Sequence, residues 1–349
     1  MHKSDSLDPC GIEVSAHQLH VALRRDEQLV LLKMFPNTPA GHQALRRWLR
    51  RPGRTVRVCL ESTGLYGLDV ALALSGQAGL EVMVANPRAV RHFATALMER
   101  SKTDPLDAAV LREFAARMPF QRWTAPSPAA LELHALARRI TALVEMHTAE
   151  KNRWHAAHAS QAIPAAVRRD VARSLRANRQ AIARLTQEAC RVITGDPQLR
   201  LQFALLLTVC GIARRSTVQI LAELAVLAPD LLVRQWVAHS GLDPREYRSG
   251  SSVHKKVRIS KSGNRHLRRA LYMPALVAVR HEPHLRAFYQ HLLGQGKAKK
   301  QALVAVMRKL LHAIYGMFKH GQPFDGSKVY RLPEEAVVAG PIFSTAEAA

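Results

Sequence analysis

The amino-terminal third of the chain alternates short apolar runs with stretches in which apolar residues recur at helical spacing. The runs at residues 10–14, 19–23, 28–35, 55–60 and 80–84 have strand length and are bounded by turns or by amphipathic segments. A hairpin-like series of strands followed by strand–helix alternation predicts a mixed sheet with helices on its faces. We therefore expect an α/β domain at this end of the chain.

Beyond residue 128, apolar positions recur mostly at intervals of three and four, which is typical of helices. Two long helices are predicted over residues 129–154 and 165–193, and their exposed faces carry many Arg and His side chains. This pattern favours a helical hairpin or a coiled-coil arm, which pairs protomers or lies along nucleic acid. A basic face that contacts only solvent is an equal alternative.

Residues 205–224 predict a helix, a glycine-containing turn and a second helix. The arrangement resembles a helix-hairpin-helix, whose turn at residues 210–212 offers backbone N–H groups to a phosphate. Many helix pairs turn on glycine, so the motif alone has low specificity. Residues 271–319 are also helical in pattern, and the periodicity ends near Asp325.

Two prolines within residues 125–128 mark a break between domains. The predicted divisions are an α/β domain at 1–125, a helical coiled-coil linker at 126–200, a mainly α domain at 201–325 and a flexible tail at 326–349.

The charge of the chain indicates its class of partner. It carries 51 Lys and Arg residues against 27 Asp and Glu residues, a formal net charge of +24 at pH 7. Such an excess favours nucleic acid first and an anionic membrane second. The basic segments lack a strong apolar face with Trp or Phe, and no apolar run approaches the roughly 18 residues of a transmembrane helix, so no membrane role is expected.

The amino terminus MHKSDSLDPC has no apolar signal core, which argues against secretion. Cys10, Cys59, Cys190 and Cys210 show no CxxC spacing, so neither a zinc site nor a disulfide framework is expected. The sequence therefore predicts a cytoplasmic protein with reduced, mostly buried thiols.

Candidate chemistry begins with the stretch SKTDPLDAAVLREFAA at residues 101–116. Asp104 is predicted as a helix N-cap, Pro105 as the first helical residue, and Asp107 follows one turn later. Both carboxylates can face one side at the positive end of the helix, where they would form one wall of a magnesium site. A capping box with Asp in place of Glu is the alternative interpretation.

Two further acids occur in predicted strands. Glu13 is flanked by apolar residues within the first strand, and Glu61 ends a strand that we expect to be central. An acid in an apolar strand is costly unless it is paired or binds a cation, and the ends of strands are where α/β sheets place ligand sites. Each acid alone is equally well explained as an edge position or a salt bridge. Together, two acids on strands and two at a following helix start form a pattern that is much less expected by chance, and it predicts a shared site for one or two metal ions.

Residues 245–269 read REYRSGSSVHKKVRISKSGNRHLRR and predict a loop or hairpin that leads into a helix at residues 266–279. Cations ahead of a helix bind phosphate backbones. A disordered basic linker is the alternative, but turn signals at residues 241–244 and 261–264 argue against it. The candidate nucleic-acid-binding residues are Arg245, Arg248, Lys255, Lys256, Arg258, Lys261, Arg265, Arg268 and Arg269.

The order GIEVS, CLESTG and SKTDPLDA resembles the DEDD transposases of one group of bacterial insertion sequences, which have a RuvC-like, RNase H-like amino-terminal domain. Glu61, Asp104 and Asp107 match the pattern of that family. Glu13 departs from it, because the family normally has Asp there and the side chain of Glu is one methylene longer. The resemblance implies that these four residues bind Mg²⁺.

The carboxy-terminal pattern GLDPREYRSG followed by ISKSGNRHLRRAL resembles the second domain of the same transposases. The nucleophilic serine of the family precedes the glycine of an SG pair, and Ser249 occupies this position. Ser251 and Ser252 are close enough to be alternatives. A hydroxyl among cations suits attack on a phosphodiester, although the residues alone do not separate a nucleophilic serine from one that binds phosphate.

The resemblance implies a recombinase with three parts: a RuvC-like α/β domain, a coiled-coil arm and a mainly α domain with a helix-hairpin-helix. It implies Mg²⁺-dependent cleavage and exchange of DNA strands, at element ends and target, through a serine–DNA covalent intermediate. It also implies an element-encoded guide RNA and a homodimer or homotetramer with a composite active site. The alternatives are a RuvC-like junction nuclease that uses metal-activated water and a catalytically inactive nucleic-acid-binding relative.

Overall fold

The computed structural model describes residues 7–25, 29–61, 64, 66–99, 101, 103–250 and 252–332, without the side chains of residues 253–256. It divides into two compact units, Met1–Ala125 and Pro126–Ala349, called here the amino-terminal and carboxy-terminal units.

The amino-terminal unit contains a five-stranded mixed sheet in the order β3-β2-β1-β4-β5. The first three strands form an antiparallel meander, and β4 and β5 run parallel to β1. The predicted mixed α/β sheet is thus confirmed. The strands are β1 (Leu7–Val14), β2 (Gln18–Arg25), β3 (Leu29–Pro36), β4 (Thr55–Glu61) and β5 (Leu80–Ala85).

In the described part of this unit, four helices cover the two faces of the sheet: α1 (Pro39–Leu49), α2 (Leu68–Leu74), α3 (Pro87–Ala96) and α4 (Asp104–Arg117). Leu45 of α1 and Leu74 of α2 pack with Ile12 on one face. On the other face, Leu111 of α4 packs with Cys59 of β4. Alternate residues of each strand point to opposite faces, so the two cores use interleaved positions of the same strands.

The start of α4 differs from its prediction by one residue. Thr103 has extended backbone angles and is the N-cap, so Asp104 is the first helical residue and Pro105 the second. The helical hydrogen bonds begin one residue earlier than predicted, because the N–H of Asp107 donates to the carbonyl oxygen of Thr103, at 2.9 Å. The prediction that Asp104 caps the helix was therefore wrong, although the two carboxylates remain within its first turn.

Gly11 of β1 lies directly beneath α4. A Cβ atom at this position would come 2.0 Å from the carbonyl oxygen of Ala108 and 2.3 Å from the amide nitrogen of Arg112. Helix and strand backbones can approach this closely only because glycine has no side chain. The contact sets the height of α4 above the sheet.

We expect Gly11→Ala to destabilise the amino-terminal unit by about 1–3 kcal/mol, because a rigid backbone must move to admit one methyl group. Urea unfolding of the full chain, followed by circular dichroism, measures this change. Gly195→Ala is the matched control, because a Cβ at Gly195 meets no atom within 4 Å. Equal stability of the two variants would contradict the close approach of α4.

Over its described residues, the carboxy-terminal unit is mainly helical, with one two-stranded hairpin. Its helices are α5 (Pro128–Ala159), α6 (Ala165–Gly195), α7 (Pro197–Leu207), α8 (Arg214–Ala225), α9 (Val233–Ser240), α10 (Arg265–His281), α11 (Pro283–Gly294) and α12 (Lys299–His320). The hairpin consists of β6 (Pro244–Ser249) and β7 (Val253–Ile259).

A continuous core joins these helices. Leu133 and Ile140 of α5 pack in it with Leu206 of α7, Leu271 of α10 and Leu310 of α12. The two long predicted helices are present as α5 and α6, which pack along each other. The mainly helical character predicted for this half of the chain is confirmed, while the coiled-coil and helix-hairpin-helix assignments stay predictions.

The turn between α7 and α8 contains Gly211, which has a φ of +93°. A Cβ at this position would come 2.7 Å from the carbonyl oxygen of Pro274 in α10. Both the backbone angle and the close contact with α10 therefore require glycine here.

Residues 326–332, the start of the segment predicted as a tail, lie against α11 and α12. A 3₁₀ turn (Gly326–Lys328) is followed by Val329, whose carbonyl oxygen accepts from Lys309 Nζ at 3.1 Å. Residues 333–349 lie outside the described residues. Over the described ranges, no helix combines the length and hydrophobicity needed to cross a bilayer.

Candidate active site

Two of the four predicted acids lie at the carboxyl ends of neighbouring parallel strands. The register pairs Gly11 of β1 with Cys59 of β4. Two residues further along both strands, the same register places Glu13 beside Glu61. Glu13 shares a sheet face with Gly11, and Glu61 shares the same face with Cys59. This is the face that α4 covers. Both side chains are half-buried.

The other two acids lie in the first turn of α4. His20 of β2 is the register partner of Glu13, and its Nε2 atom lies 3.4 Å from Oδ2 of Asp104. Asp107 is one turn further along the helix and is half-buried. The start of α4 therefore lies over the end of the sheet that carries Glu13 and Glu61. All four acids belong to one end of one sheet face.

The chemistry of this acid group fits a hard divalent cation, because Mg²⁺ prefers carboxylate oxygens together with water and phosphate. Asp104 and Asp107 lie at the positive end of the α4 dipole. Within the described residues, no three His, Cys, Asp or Glu side chains are arranged closely enough to hold a metal ion. Coordination of one ion by the four acids therefore requires their side chains to converge further.

Glu113 fastens α4 to the sheet. Its carboxylate accepts hydrogen bonds of 2.9 Å from Arg112 and from Arg117, and it lies 3.6 Å from Nη1 of Arg24 on β2. Burial raises the pKa of Glu113, but the hydrogen bond from Arg112 and the three positive charges outweigh burial and hold the pKa below its usual value. An ionised Glu113 thus links α4 to β2 through Arg24.

Ser249 is the last residue of β6 and is exposed. It pairs with Val253 across the hairpin, and Gly250, with a φ of +55°, begins the turn. Ser252 is also exposed, and Ser251 lies outside the described residues. Of the loop and hairpin alternatives that the sequence left open, the hairpin is the one observed.

The nine predicted nucleic-acid-binding residues have different environments. Arg268 donates to the carbonyl oxygen of Ser240 at 2.7 Å, and Arg269 forms an ion pair with Glu145, so both stabilise the unit itself. Lys255 and Lys256 are on β7, and their side chains lie outside the described part. The exposed members are Arg245, Arg248, Arg258, Lys261, Arg265 and the ion-paired Arg269.

The base of the hairpin is folded against the end of α9. The hydroxyl of Ser260 donates to Asp243 at 2.5 Å, and the amide N–H of Asn264 donates to the carbonyl oxygen of His239 at 2.6 Å. A Cβ at Gly263 would come 2.3 Å from that same carbonyl oxygen. These contacts make residues 260–264 an ordered loop, as the turn signals predicted.

Glu223 of α8 is the central buried charge beneath this loop, with a side chain that is 2% exposed. Arg138 of α5 donates two hydrogen bonds to its carboxylate, at 2.7 and 2.9 Å. Asn264 donates a third at 2.5 Å while its own side-chain oxygen caps α10. The carboxylate thus links α5, α8 and the start of α10.

Glu223 is not among the residues predicted from the sequence, although the sequence contains a signal for it. It is the single acid in the apolar run ILAELA, and its neighbours Ala222 and Leu224 are buried. An acid in such a position needs a partner. The partner, Arg138, is 85 residues away in the chain, so the pair could be identified only from the structure.

Glu223 should make the free energy of unfolding depend on pH in the acidic range. Burial raises its pKa, but the hydrogen bonds from His134, Arg138 and Asn264 outweigh burial and lower the pKa to about 2, from an ordinary 4.5. Its contribution is therefore complete above pH 4.5 and is lost as the pH falls towards 2. We expect a loss on the order of 3 kcal/mol over this range.

Urea unfolding between pH 6 and pH 2 measures this loss. Glu223→Gln should be less stable at pH 6 and should show a flatter pH dependence than the wild type. Glu188→Gln is the control, because Glu188 pairs with Arg191 on the surface, where ion pairs contribute little. If both variants kept the acid dependence of the wild type, the role of Glu223 would be refuted.

Two family profiles match the chain. Residues 10–164 match the family DEDD_Tnp_IS110, described as a transposase. Residues 203–290 match the transposase family IS116/IS110/IS902. The first match contains the four acids, and the second contains Glu223 and Ser249. Together the two matches span well over half of the chain.

Relatives over most of the chain agree with these profiles. The chain is 28% identical over 296 residues to pilin gene-inverting proteins of Moraxella bovis and Moraxella lacunata, which covers 83% of this chain and 89% of each relative. Over 88 residues it is 28% identical to an uncharacterized 43.6 kDa protein of insertion element IS110 from Streptomyces coelicolor, covering 25% of this chain and 22% of that protein. Because both profiles and these relatives agree with the motif order, the chain belongs to the DEDD-type insertion-sequence transposases of the IS110 family and is an enzyme that acts on DNA.

Proposed function

We propose that this protein mobilises or inverts a DNA segment by cleaving and exchanging strands through a covalent link between DNA and Ser249. The observation that carries the proposal is the placement of Ser249. It is exposed at the end of β6, directly before the Gly250 turn, on a hairpin with Arg245, Arg248 and Arg258 exposed. A hydroxyl in this position can reach a phosphate that the surrounding cations bind.

The proposed reaction replaces one phosphoester bond with another, so it needs no external energy source. The Ser249 oxygen attacks phosphorus, the bond from phosphorus to one sugar oxygen breaks, and the serine proton passes to that leaving oxygen. The products are a phosphodiester between serine and one DNA end and a free hydroxyl on the other. Because the phosphodiester is retained, the hydroxyl of a second strand can attack it and complete the exchange. Cations around the serine stabilise the pentavalent transition state.

The acids of the amino-terminal unit supply the second half of the proposal. Family membership suggests dependence on a divalent metal, and Glu13, Glu61, Asp104 and Asp107 would bind it as Mg²⁺. The bound ion would neutralise charge on a phosphate and polarise its oxygens. The four carboxylates would hold the positive charge of the ion at one end of the sheet face.

The finer parts of the proposal concern partners. The proposed nucleic-acid partners are an element-encoded guide RNA and, as substrates, the DNA ends and target. The protein would be cytoplasmic and would assemble as a homodimer or homotetramer with a composite active site. The support for nucleic-acid partners is the net charge of +24. The α5–α6 arm would serve assembly or RNA contact, and the turn at Gly211 would act as a helix-hairpin-helix that contacts phosphate.

The proposal is tested by incubating the protein with element-end DNA, cognate RNA and Mg²⁺, followed by denaturing electrophoresis. A band in which DNA migrates with the protein supports the serine intermediate. A junction nuclease that uses metal-activated water would cleave the DNA without leaving such a band. An inactive relative would bind the DNA and cleave nothing.

A further inference from the structure

A cavity of about 560 Å³ lies in the carboxy-terminal unit, between α12 and the segment 322–329. Its volume is within the range of small-molecule sites. Neither Ser249 nor any of the nine candidate nucleic-acid-binding residues lines it. Its lining includes Arg308, His312, Gly316, His320, Phe324 and Lys328.

The outer wall of this cavity is held by defined contacts. The amide N–H of Phe324 donates to Oγ1 of Thr208 at 2.9 Å. Gly326 lies so close to Glu282 that a Cβ would come 2.3 Å from Oε1 of that residue. Further on, the carbonyl oxygen of Tyr330 is 2.8 Å from Nδ1 of His284. The cavity is therefore preformed.

The opposite wall is one row of α12, in which Arg308, His312, Gly316 and His320 follow each other at intervals of four residues. Arg308 and His312 are exposed, and neither has a hydrogen-bond or ion-pair partner among the described residues. Gly316 opens the middle of the row, because a Cβ there would meet nothing within 4 Å.

The charge of the cavity favours an anion. Arg308, Lys309 and Lys328 stand against one carboxylate, Asp325, which accepts from Ser327 and lies 3.8 Å from Nζ of Lys328. The ion pair leaves a net positive charge in the lining. Burial, together with the charges of Arg308 and Lys309, lowers the pKa of His312, so neighbouring cations disfavour further positive charge there. A ligand phosphate would relieve this repulsion.

The apolar part of the lining favours a flat ring. Phe324 and Met317 lie in the same cavity as the cations, and Ala305, Ala313 and Gly316 leave room beside them. Aromatic side chains next to cations are the combination that holds a base and its phosphate together.

We propose that this cavity binds a nucleoside phosphate, with the phosphate at Arg308 and Lys328 and the base against Phe324. The site is separate from the strand-exchange chemistry proposed above. The ligand is either a free nucleotide or one nucleotide of a nucleic-acid strand, and both present the same chemistry to the cavity.

The test uses the full-length protein with two labelled probes, a fluorescent ribose-labelled ATP and a 5′-labelled single-stranded decanucleotide. Unlabelled ATP and inorganic phosphate serve as competitors. Gly316→Leu adds a side chain to the cavity wall at a position where a Cβ meets no atom within 4 Å, and leucine favours helix more than glycine does. Gly294→Leu is the matched control, because it also adds a leucine where a Cβ meets no atom within 4 Å. Arg308→Ala is compared with Lys300→Ala on the same helix.

We expect Gly316→Leu and Arg308→Ala to weaken binding of at least one nucleotide probe by about tenfold or more, with both controls unchanged. Loss confined to labelled ATP identifies a free nucleotide, and loss confined to the decanucleotide identifies a strand. Binding that Gly316→Leu leaves unchanged would overturn the proposal. Competition by inorganic phosphate as strong as that by unlabelled ATP would reduce the site to a simple anion site and also overturn it.

Discussion

Ser249→Ala is expected to abolish the covalent protein–DNA adduct and to leave DNA binding within about twofold of the wild type. The adduct disappears because no other atom of residue 249 can form the phosphoester. Binding persists because the cations of the hairpin contribute most of the attraction to the phosphate backbone. The adduct is measured on a denaturing gel, and binding is measured by electrophoretic mobility shift at fixed salt concentration.

Ser160→Ala is the control for this experiment, because Ser160 is an exposed serine in the connection between α5 and α6. It should form the adduct at the wild-type rate. An adduct that persists in Ser249→Ala but is lost in Ser251→Ala or Ser252→Ala would move the nucleophile along the turn. Cleavage without an adduct in the wild type would favour the hydrolytic nuclease.

Asp104→Ala is expected to lower Mg²⁺-dependent strand cleavage by about a hundredfold or more, because it removes one of four carboxylates that would bind the ion. The Asp104 side chain is 55% exposed, so the change should have little effect on folding. Cleavage rates measured against Mg²⁺ concentration, together with calorimetric titration of Mn²⁺, separate a loss of metal binding from a loss of structure.

Asp69→Asn provides the matched control, since Asp69 is likewise an acid in the first turn of a helix, α2. Its cleavage rate and Mn²⁺ affinity should equal those of the wild type. Wild-type cleavage by Asp104→Ala would remove this acid from the proposed metal site. A wild-type protein that binds DNA but never cleaves it would instead point to an inactive relative, in which Glu13 replaces the usual Asp.

The local pattern of the chain predicted most of the secondary structure. The five strands and the long helices α5 and α6 lie within a few residues of their predicted positions. Boundaries were less accurate, as at Thr103, because the first hydrogen bond of a helix depends on backbone angles that side-chain spacing does not specify. Residues 326–332 have no periodicity, and their order comes from contacts with α11 and α12.

The amino-acid sequence by itself determined the family, the mixed α/β and helical character of the two halves, and the acids and serine that are candidates for chemistry. The tertiary structure decided which groups meet. In the folded chain, His20 lies beside Asp104, Arg138 donates hydrogen bonds to Glu223, and Phe324 lines a cavity against α12. Spacing along a chain reports which residues share a face of one element, whereas contacts between elements depend on register and packing, which only the folded chain specifies.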